Sequence, residues 1–346
     1  MLDIKSEEIL RVIGDHSTIS SLAIHENVSI QMSYATVKRL LSKLISENLV
    51  QVVGRGKGAR YQFGTAYNLL YPIDVDTYFE KEIDERSIQE GFNLMLISQL
   101  LSKIKLFTSS ELAELEVLQT EYSNNISNLT STEYTKELER LAIDLSWKSS
   151  QIEGNTYSLL ETERLLKEQE TADGKTKDDA TMLLNHKEAL DFIISEPNYI
   201  SPLTVSRIED IHSLLIKGLG VDRNIRTRRV GISGTNYKPL DNEHQIKEAL
   251  QDMCDLVNKR DCVFEKALLL LVLLSYIQAF GDGNKRTARI ISNAVLINKS
   301  YCPISFRTID SIEYKKAMLL FYEQNNINAI KKIFISQFEF AVKTYF

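Results

Sequence analysis

The sequence predicts a mainly α-helical protein of two or three domains, and three observations carry that reading. Apolar residues recur at i, i+3 and i+4 through residues 86–105, 131–152, 204–218, 244–258 and 264–277. Strand-like runs are short and fall into two pairs, Val50–Val53 with Tyr61–Phe63 and Arg229–Ile232 with Tyr237–Leu240, each around a glycine-containing turn. Five prolines and fourteen glycines in 346 residues exclude collagen-like and disordered classes, and 43% hydrophobic residues suffice for real cores. The longest apolar run, Ala267–Leu274, is too short to span a bilayer, and the acidic N-terminus (MLDIKSEEIL) is no signal peptide. Cys254, Cys262 and Cys302 lack C-x-x-C spacing and read as reduced core residues. A cytoplasmic protein without a membrane partner is the expectation.

Residues 1–63 read as a separate unit. Ser6–Ile13, Ile19–Glu26 and Ser33–Glu47 are short helical segments, the last with Val37, Leu40, Leu41, Leu44 and Ile45 on one face. A hairpin tipped by Gly54-Arg55-Gly56-Lys57-Gly58 follows. The whole chain holds 41 Lys/Arg against 47 Asp/Glu, net −6, which by itself argues against nucleic acid. Split at residue 63, the balance is eight against six in the first segment and 33 against 41 in the rest. Within residues 33–63 it is six against one. Three helices followed by a basic-tipped hairpin resemble the winged helix-turn-helix family. That resemblance implies DNA as a partner, with Thr36, Lys38, Arg39 and Lys43 on the third helix and Arg55, Lys57 and Arg60 on the wing as contacts. A winged helix used for protein contact, with its charges merely solvated, is the competing reading.

Residues 64–85, with Pro72 and mixed aromatic and acidic residues, read as a connector packed on the next domain. Residues 86–145 read as a helical extension, and 146–346 as the main helical domain.

The most informative stretch is Tyr276–Arg289, YIQAFGDGNKRTAR, between an all-apolar run, Ala267–Leu274, and a second core helix carrying Ile290, Ile291, Ala294, Val295 and Leu296. Glycines permit close approach of a ligand, free N–H groups at a helix start attract anions, and arginines bind phosphate bidentately. Lys285, Arg286 and Arg289 oppose the helix dipole there, a cost that an anion would offset. On this reasoning alone, a phosphate site and a plain turn with solvated arginines are equally supported.

Phe280-Gly281-Asp282-Gly283-Asn284-Lys285-Arg286-x-x-Arg289 resembles the signature H-P-F-x-[DE]-G-N-[GK]-R-x-x-R of the Fic family. Ser149-x-x-x-Glu153-Gly154 resembles the inhibitory motif that some members carry ahead of their core, and residues 226–239 look like the family's target-docking flap. The resemblance implies an all-helical Fic core with a small flap hairpin. It implies ATP and Mg²⁺ as cofactors, with Asp282 as metal ligand and Gly283, Asn284 and Lys285 as a nest around the α- and β-phosphates. Arg286 would meet the β-phosphate and Arg289 the γ-phosphate. Glu153, supported by Ser149, would block Arg289, and Val230, Gly231 and Ile232 would dock a protein target.

One departure governs the functional reading. The catalytic histidine of the family stands here as Gln278, and the following proline as Ala279. An amide cannot take a hydroxyl proton near neutral pH. None of the five histidines (16, 25, 186, 212, 244) lies near the motif in sequence, although His186 and His212 sit on core helices. Lys285 matches the G-N-K-R form of the Doc-type branch, which leaves AMP transfer and phosphate transfer both open. Two readings follow: a nucleotide-binding, DNA-binding transcriptional regulator with a degenerate catalytic motif, or an auto-inhibited protein adenylyltransferase. A homodimer is a further expectation.

Overall fold

The structure, a computed structural model, describes residues 3–346, apart from the Lys57 side chain. The chain begins with α1 (Ile4–Gly14), α2 (Ser21–Asn27) and α3 (Tyr34–Ser46), followed by the antiparallel pair β1 (Val50–Val53) and β2 (Arg60–Phe63). Side chains of Asp3, Ser20 and Ser33 cap the three helices, each accepting from a first-turn amide. Ile19 joins β2 through an antiparallel bridge to Tyr61, with amide–carbonyl distances of 3.0 and 2.7 Å. Ile9, Val12, Ile24, Val37, Leu40, Leu41, Leu44 and Val50 form a core of their own. The helical period of α3 faces that core, which leaves Lys38, Arg39 and Lys43 exposed on its other side.

Two short helices, α4 (Tyr67–Leu70) and α5 (Val75–Phe79), lead onward. Ala66 and Leu69 are buried in the larger core, whereas Tyr67 and Tyr71 pack on the smaller one. The remainder is α6 (Ser109–Ser127), α7 (Ser131–Ile152), α8 (Leu159–Glu168), α9 (Lys177–Ser195), α10 (Val205–Ile216), α11 (Glu243–Lys259), α12 (Val263–Ile277), α13 (Asn284–Asn298), α14 (Ser311–Gln324) and α15 (Asn328–Tyr345). Reciprocal capping boxes start α6, α7 and α8 through Thr108/Glu111, Thr130/Glu133 and Ser158/Glu161. Helix α12 is apolar all round because it runs through the centre: every residue from Ala267 to Ile277 is buried. Helix α13 packs along it, and the α12–α13 turn lines a cleft.

Two expectations from periodicity need correction. Residues 86–105 do not form a continuous helix; only Leu96–Leu100 and Leu101–Lys103 make single turns. Their apolar residues dock one at a time, Phe92 stacking on Tyr276 at 4.7 Å, and Leu96, Ile97, Leu101 and Ile104 entering the core. Backbone groups there find tertiary partners, such as the Tyr276 hydroxyl for the Asn93 amide, so helix is not required to satisfy them. The second concerns Arg229–Ile232 and Tyr237–Leu240. The segment turns back at Ser233-Gly234, but no ladder joins its two arms. Lys238 instead pairs in parallel with Gly91.

Candidate functional site

The α12–α13 turn is built around left-handed residues. Helix α12 stops at Gln278, at φ 52°. Gly283, at φ 81°, precedes α13, and a Cβ there would lie 3.2 Å from Ile216 and 3.4 Å from His212. Asn284 ties the turn shut: its Oδ1 accepts from the Phe280 amide at 2.9 Å, and its Nδ2 donates to the Phe280 carbonyl at 2.8 Å. No side chain caps α13, in contrast to the capped starts of α6–α11 and α14. Its first-turn amides therefore remain available to an anion.

This helix start forms part of a cleft of about 530 Å³. Gln278, Asp282, Gly283, Asn284, Lys285 and Arg286 line one side, and Glu153 closes an end. Val230, Gly231, Ile232 and Ser233 form the flap wall. The opposite wall comes from α14: Tyr314, Lys315, Met318, Leu319 and Tyr322. Sequence reading missed that wall, because the apolar period of α14 is indistinguishable from that of an ordinary core helix. A larger cleft, about 640 Å³, between residues 97–105 and α11 contains none of the signature residues.

Arg289 is fully buried. Its Nε donates to Ser149 Oγ at 2.8 Å, and its Nη2 donates to the Ser149 carbonyl and to Glu153 Oε1, each at 2.9 Å. Lys285 Nζ meets the other Glu153 oxygen at 3.3 Å, a second partner not anticipated from the motif. Glu153 is the residue that ends α7, followed by Gly154 at φ 100°. Burial pushes its carboxyl pKa up, but the charges of Arg289 and Lys285 outweigh that, and the net value is lowered. Arg286, also buried, donates to Asp282 Oδ2 at 3.0 Å and to the Leu215 carbonyl at 3.2 Å. The three signature cations, Lys285, Arg286 and Arg289, are thus engaged within the chain.

Gln278 is held by its own hydrogen bonds. Nε2 donates to the Ser275 carbonyl at 2.7 Å, and Oε1 accepts from Asn284 Nδ2 at 3.1 Å. Arg226, almost buried, donates to the Gln278 carbonyl at 2.6 Å and also reaches the Arg228 and Leu240 carbonyls, bracing the turn against the flap. His212 and His186 do approach this region in space, but from behind the turn. His212 stacks on Phe280 at 3.7 Å, and its Nε2 lies 2.9 Å from the Asp282 carbonyl. His186 is fully buried, and burial, with Arg289 and Arg286 nearby, pushes its pKa well below the ordinary value. Neither histidine lines the cleft.

Asp282 projects into the cleft with one oxygen accepting from the Gly283 amide at 2.6 Å and the other from Arg286. Among the described residues no three His, Cys, Asp or Glu side chains form a metal cluster. One carboxylate fits a Mg²⁺ shared with phosphate oxygens and several waters, and does not fit an ion caged by protein alone. On the N-terminal unit, Thr36 sits half-buried beside its cap Ser33, Lys43 is 3.9 Å from Asp3, and Arg55 and Arg60 are exposed at the β1–β2 hairpin. The Lys57 side chain lies outside the described residues.

Residues 202–296 match the Fic/DOC family profile, and the chain carries a Fic domain. It is 24% identical over 171 residues to "Protein adenylyltransferase fic-1" of Caenorhabditis elegans, and 27% identical over 173 residues to "Protein adenylyltransferase Fic" of Nematostella vectensis. These matches span 47% and 49% of this chain but only 33% and 40% of the relatives. Among solved structures, a fragment of C. elegans Fic-1 superposes with a TM-score of 0.60 at 18% identity, covering 68% of this chain and 72% of that one. A Fic-domain signaling protein from Bacteroides thetaiotaomicron superposes at 0.58 with 20% identity, covering 66% and 94%. At such identities the superpositions establish a shared fold, mainly helical. No helix among the described residues is long and apolar enough to cross a membrane.

Proposed function

We propose that the cleft binds a nucleoside triphosphate, ATP in the first instance, and that Glu153 latches it by pairing with Arg289 and Lys285. The observation that carries this is the uncapped start of α13 beside Lys285, Arg286 and Arg289, with Glu153 bound to two of the three cations. The amides of Asn284 and Lys285 would hold phosphate oxygens, joined by that of Gly283 on release from Asp282 Oδ1. A nucleotide reaching Arg289 must displace Glu153, so the carboxylate and the terminal phosphate compete for one guanidinium. Asp282 would hold Mg²⁺, which screens the phosphate charge, once it exchanges Arg286 for the ion. Thermal shift with ATP and Mg²⁺ tests the proposal: wild type gains stability and Arg289→Ala does not.

Under this reading the cleft senses nucleotide without efficient transfer, because Gln278 spends its amide on Ser275 and Asn284 and has no proton affinity near pH 7. The N-terminal unit would then be a winged helix reading DNA, with α3 in the major groove and Arg55, Lys57 and Arg60 on the backbone or minor groove. Gel shift against DNA from upstream of the protein's own gene tests that part; loss of site selectivity at physiological salt removes it.

The names of the curated relatives favour a second reading, AMP transfer to a protein hydroxyl. In that reaction the hydroxyl oxygen bonds to the α-phosphorus, the bond to the β-phosphate breaks, pyrophosphate leaves, and the hydroxyl proton needs an acceptor other than Gln278. Val230–Ile232 would align the target. Label transfer from α-labelled ATP by Glu153→Gly tests this; a released variant that labels neither itself nor lysate proteins excludes it. A homodimer remains part of the proposal, checked by light scattering.

A further inference from the structure

The flap that walls the cleft is held by the stretch of chain that leads from the N-terminal unit. Asn236 Nδ2 donates to Asp84 Oδ1 at 2.8 Å, Arg86 Nη2 donates to the Gly234 carbonyl at 3.1 Å, and the Lys238 amide donates to the Glu90 carbonyl at 3.2 Å. Three contacts therefore run along residues 234–238 from one partner segment, 84–90. The middle contact is anchored deeply. Arg86, itself buried, pairs at 3.0 Å with Glu323, whose side chain is fully buried at the end of α14. Tyr78 from α5 donates to the second Glu323 oxygen at 2.7 Å, and the Gln89 amide donates to the Glu323 carbonyl at 2.8 Å.

The same end of α14 grips the other side of the connector. Asn326 donates from Nδ2 to the Asn68 and Tyr71 carbonyls, both at 2.8 Å, the Ile327 amide donates to the Leu69 carbonyl at 2.8 Å, and Asn328 reaches the Leu70 carbonyl at 3.0 Å. From there an aromatic ladder continues into the N-terminal unit: Tyr71 stacks on Tyr67 at 4.7 Å, and Tyr67 on Phe63 of β2 at 3.6 Å. Helix α14 meanwhile carries Tyr314, Met318 and Tyr322 into the cleft. The turn after α14 is thus common to the cleft wall, the flap brace and the seat of the N-terminal unit.

We propose that residues 84–91 and the turn 323–328 form a strap through which the N-terminal unit and the flap share one conformational equilibrium. Arg86 is its positioning residue, spanning Glu323 and the flap tip. Occupancy at either end then shifts the other, because a state that frees the flap also loosens the connector. This inference requires neither nucleotide nor DNA to be the ligand, since the coupling lies in the unliganded chain.

Amide hydrogen exchange on the full chain tests it, comparing wild type with Arg86→Met and Asp84→Ala. The strap predicts at least tenfold faster exchange in Arg86→Met both at the Lys238 flap amide and at the Ile327 and Tyr71 amides, with α12 unchanged. The milder Asp84→Ala, altered at an exposed side chain, should speed the same two sets several-fold. Should Arg86→Met also accelerate α12, it has unfolded globally, and Asp84→Ala alone decides. Faster exchange confined to the flap, or no change at either end in a folded variant, overturns the coupling.

Discussion

Glu153 concentrates the most consequence in one side chain. Its carboxylate satisfies two cations, one of them fully buried, so Glu153→Ala should lower stability by about 2 kcal/mol, below the ~3–5 kcal/mol for a wholly buried pair because this carboxylate keeps some solvent contact. The same variant should bind ATP more tightly, so denaturation and nucleotide titration should move in opposite directions. The pH dependence has a defined sign. The folded-state pKa is depressed, so the contact stabilises above the unfolded value and is lost as pH falls through the folded one. Unfolding curves of wild type and Glu153→Ala should therefore differ at pH 7 and converge as pH drops below 4.5, the carboxyl's ordinary value. Gln278→His is the complementary residue-scale change. It should raise label transfer in a Glu153→Gly background by about 10²-fold or more if the missing base is what limits the reaction. Unchanged transfer would place the deficiency elsewhere in the cleft.

At the scale of elements, the start of α13 is defined by backbone conformation. Gly283→Ala adds a Cβ 3.2 Å from Ile216 at a positive φ, which should cost about 1–3 kcal/mol of stability and weaken phosphate binding beyond that loss. Chemical denaturation and nucleotide titration of the variant measure the two effects separately. The turn itself was legible in sequence, since glycines and clustered cations between two core helices mark a break there, although the residues alone left an anion site and a plain turn equally supported. The α14 wall was not legible, because helical periodicity reports that a face is buried and says nothing about what it faces. Lys285 as a second partner of Glu153 was hidden for a similar reason: 132 residues separate them, and only packing of α7 against α13 brings them to 3.3 Å. The stretch 86–105 misled in the opposite direction. Its apolar spacing suits a helix, yet Phe92 and Leu96 each find a tertiary slot, and Asn93 takes its amide partner from Tyr276.

Across the whole molecule, charge is segregated. The cations of α3 and the β1–β2 turn belong to the N-terminal unit, which has a small core of its own, while residues 64–346 carry the net negative charge. If that basic face binds DNA, Arg39→Ala with Lys43→Ala should weaken binding across all sequences and reduce the log–log salt slope by about 2, roughly one unit per lost phosphate contact. A fluorescence titration at several salt concentrations measures it. The two bodies are joined where the connector seats on the turn after α14. In the cleft, the arginine of the proposed nucleotide site is occupied by the chain's own glutamate. Calorimetric titration of ATP and Mg²⁺ into wild type, Glu153→Gly and Arg289→Ala tests it most directly. Affinity should be at least tenfold higher for Glu153→Gly than for wild type, and binding should be lost in a folded Arg289→Ala. Equal affinity in all three proteins would contradict it.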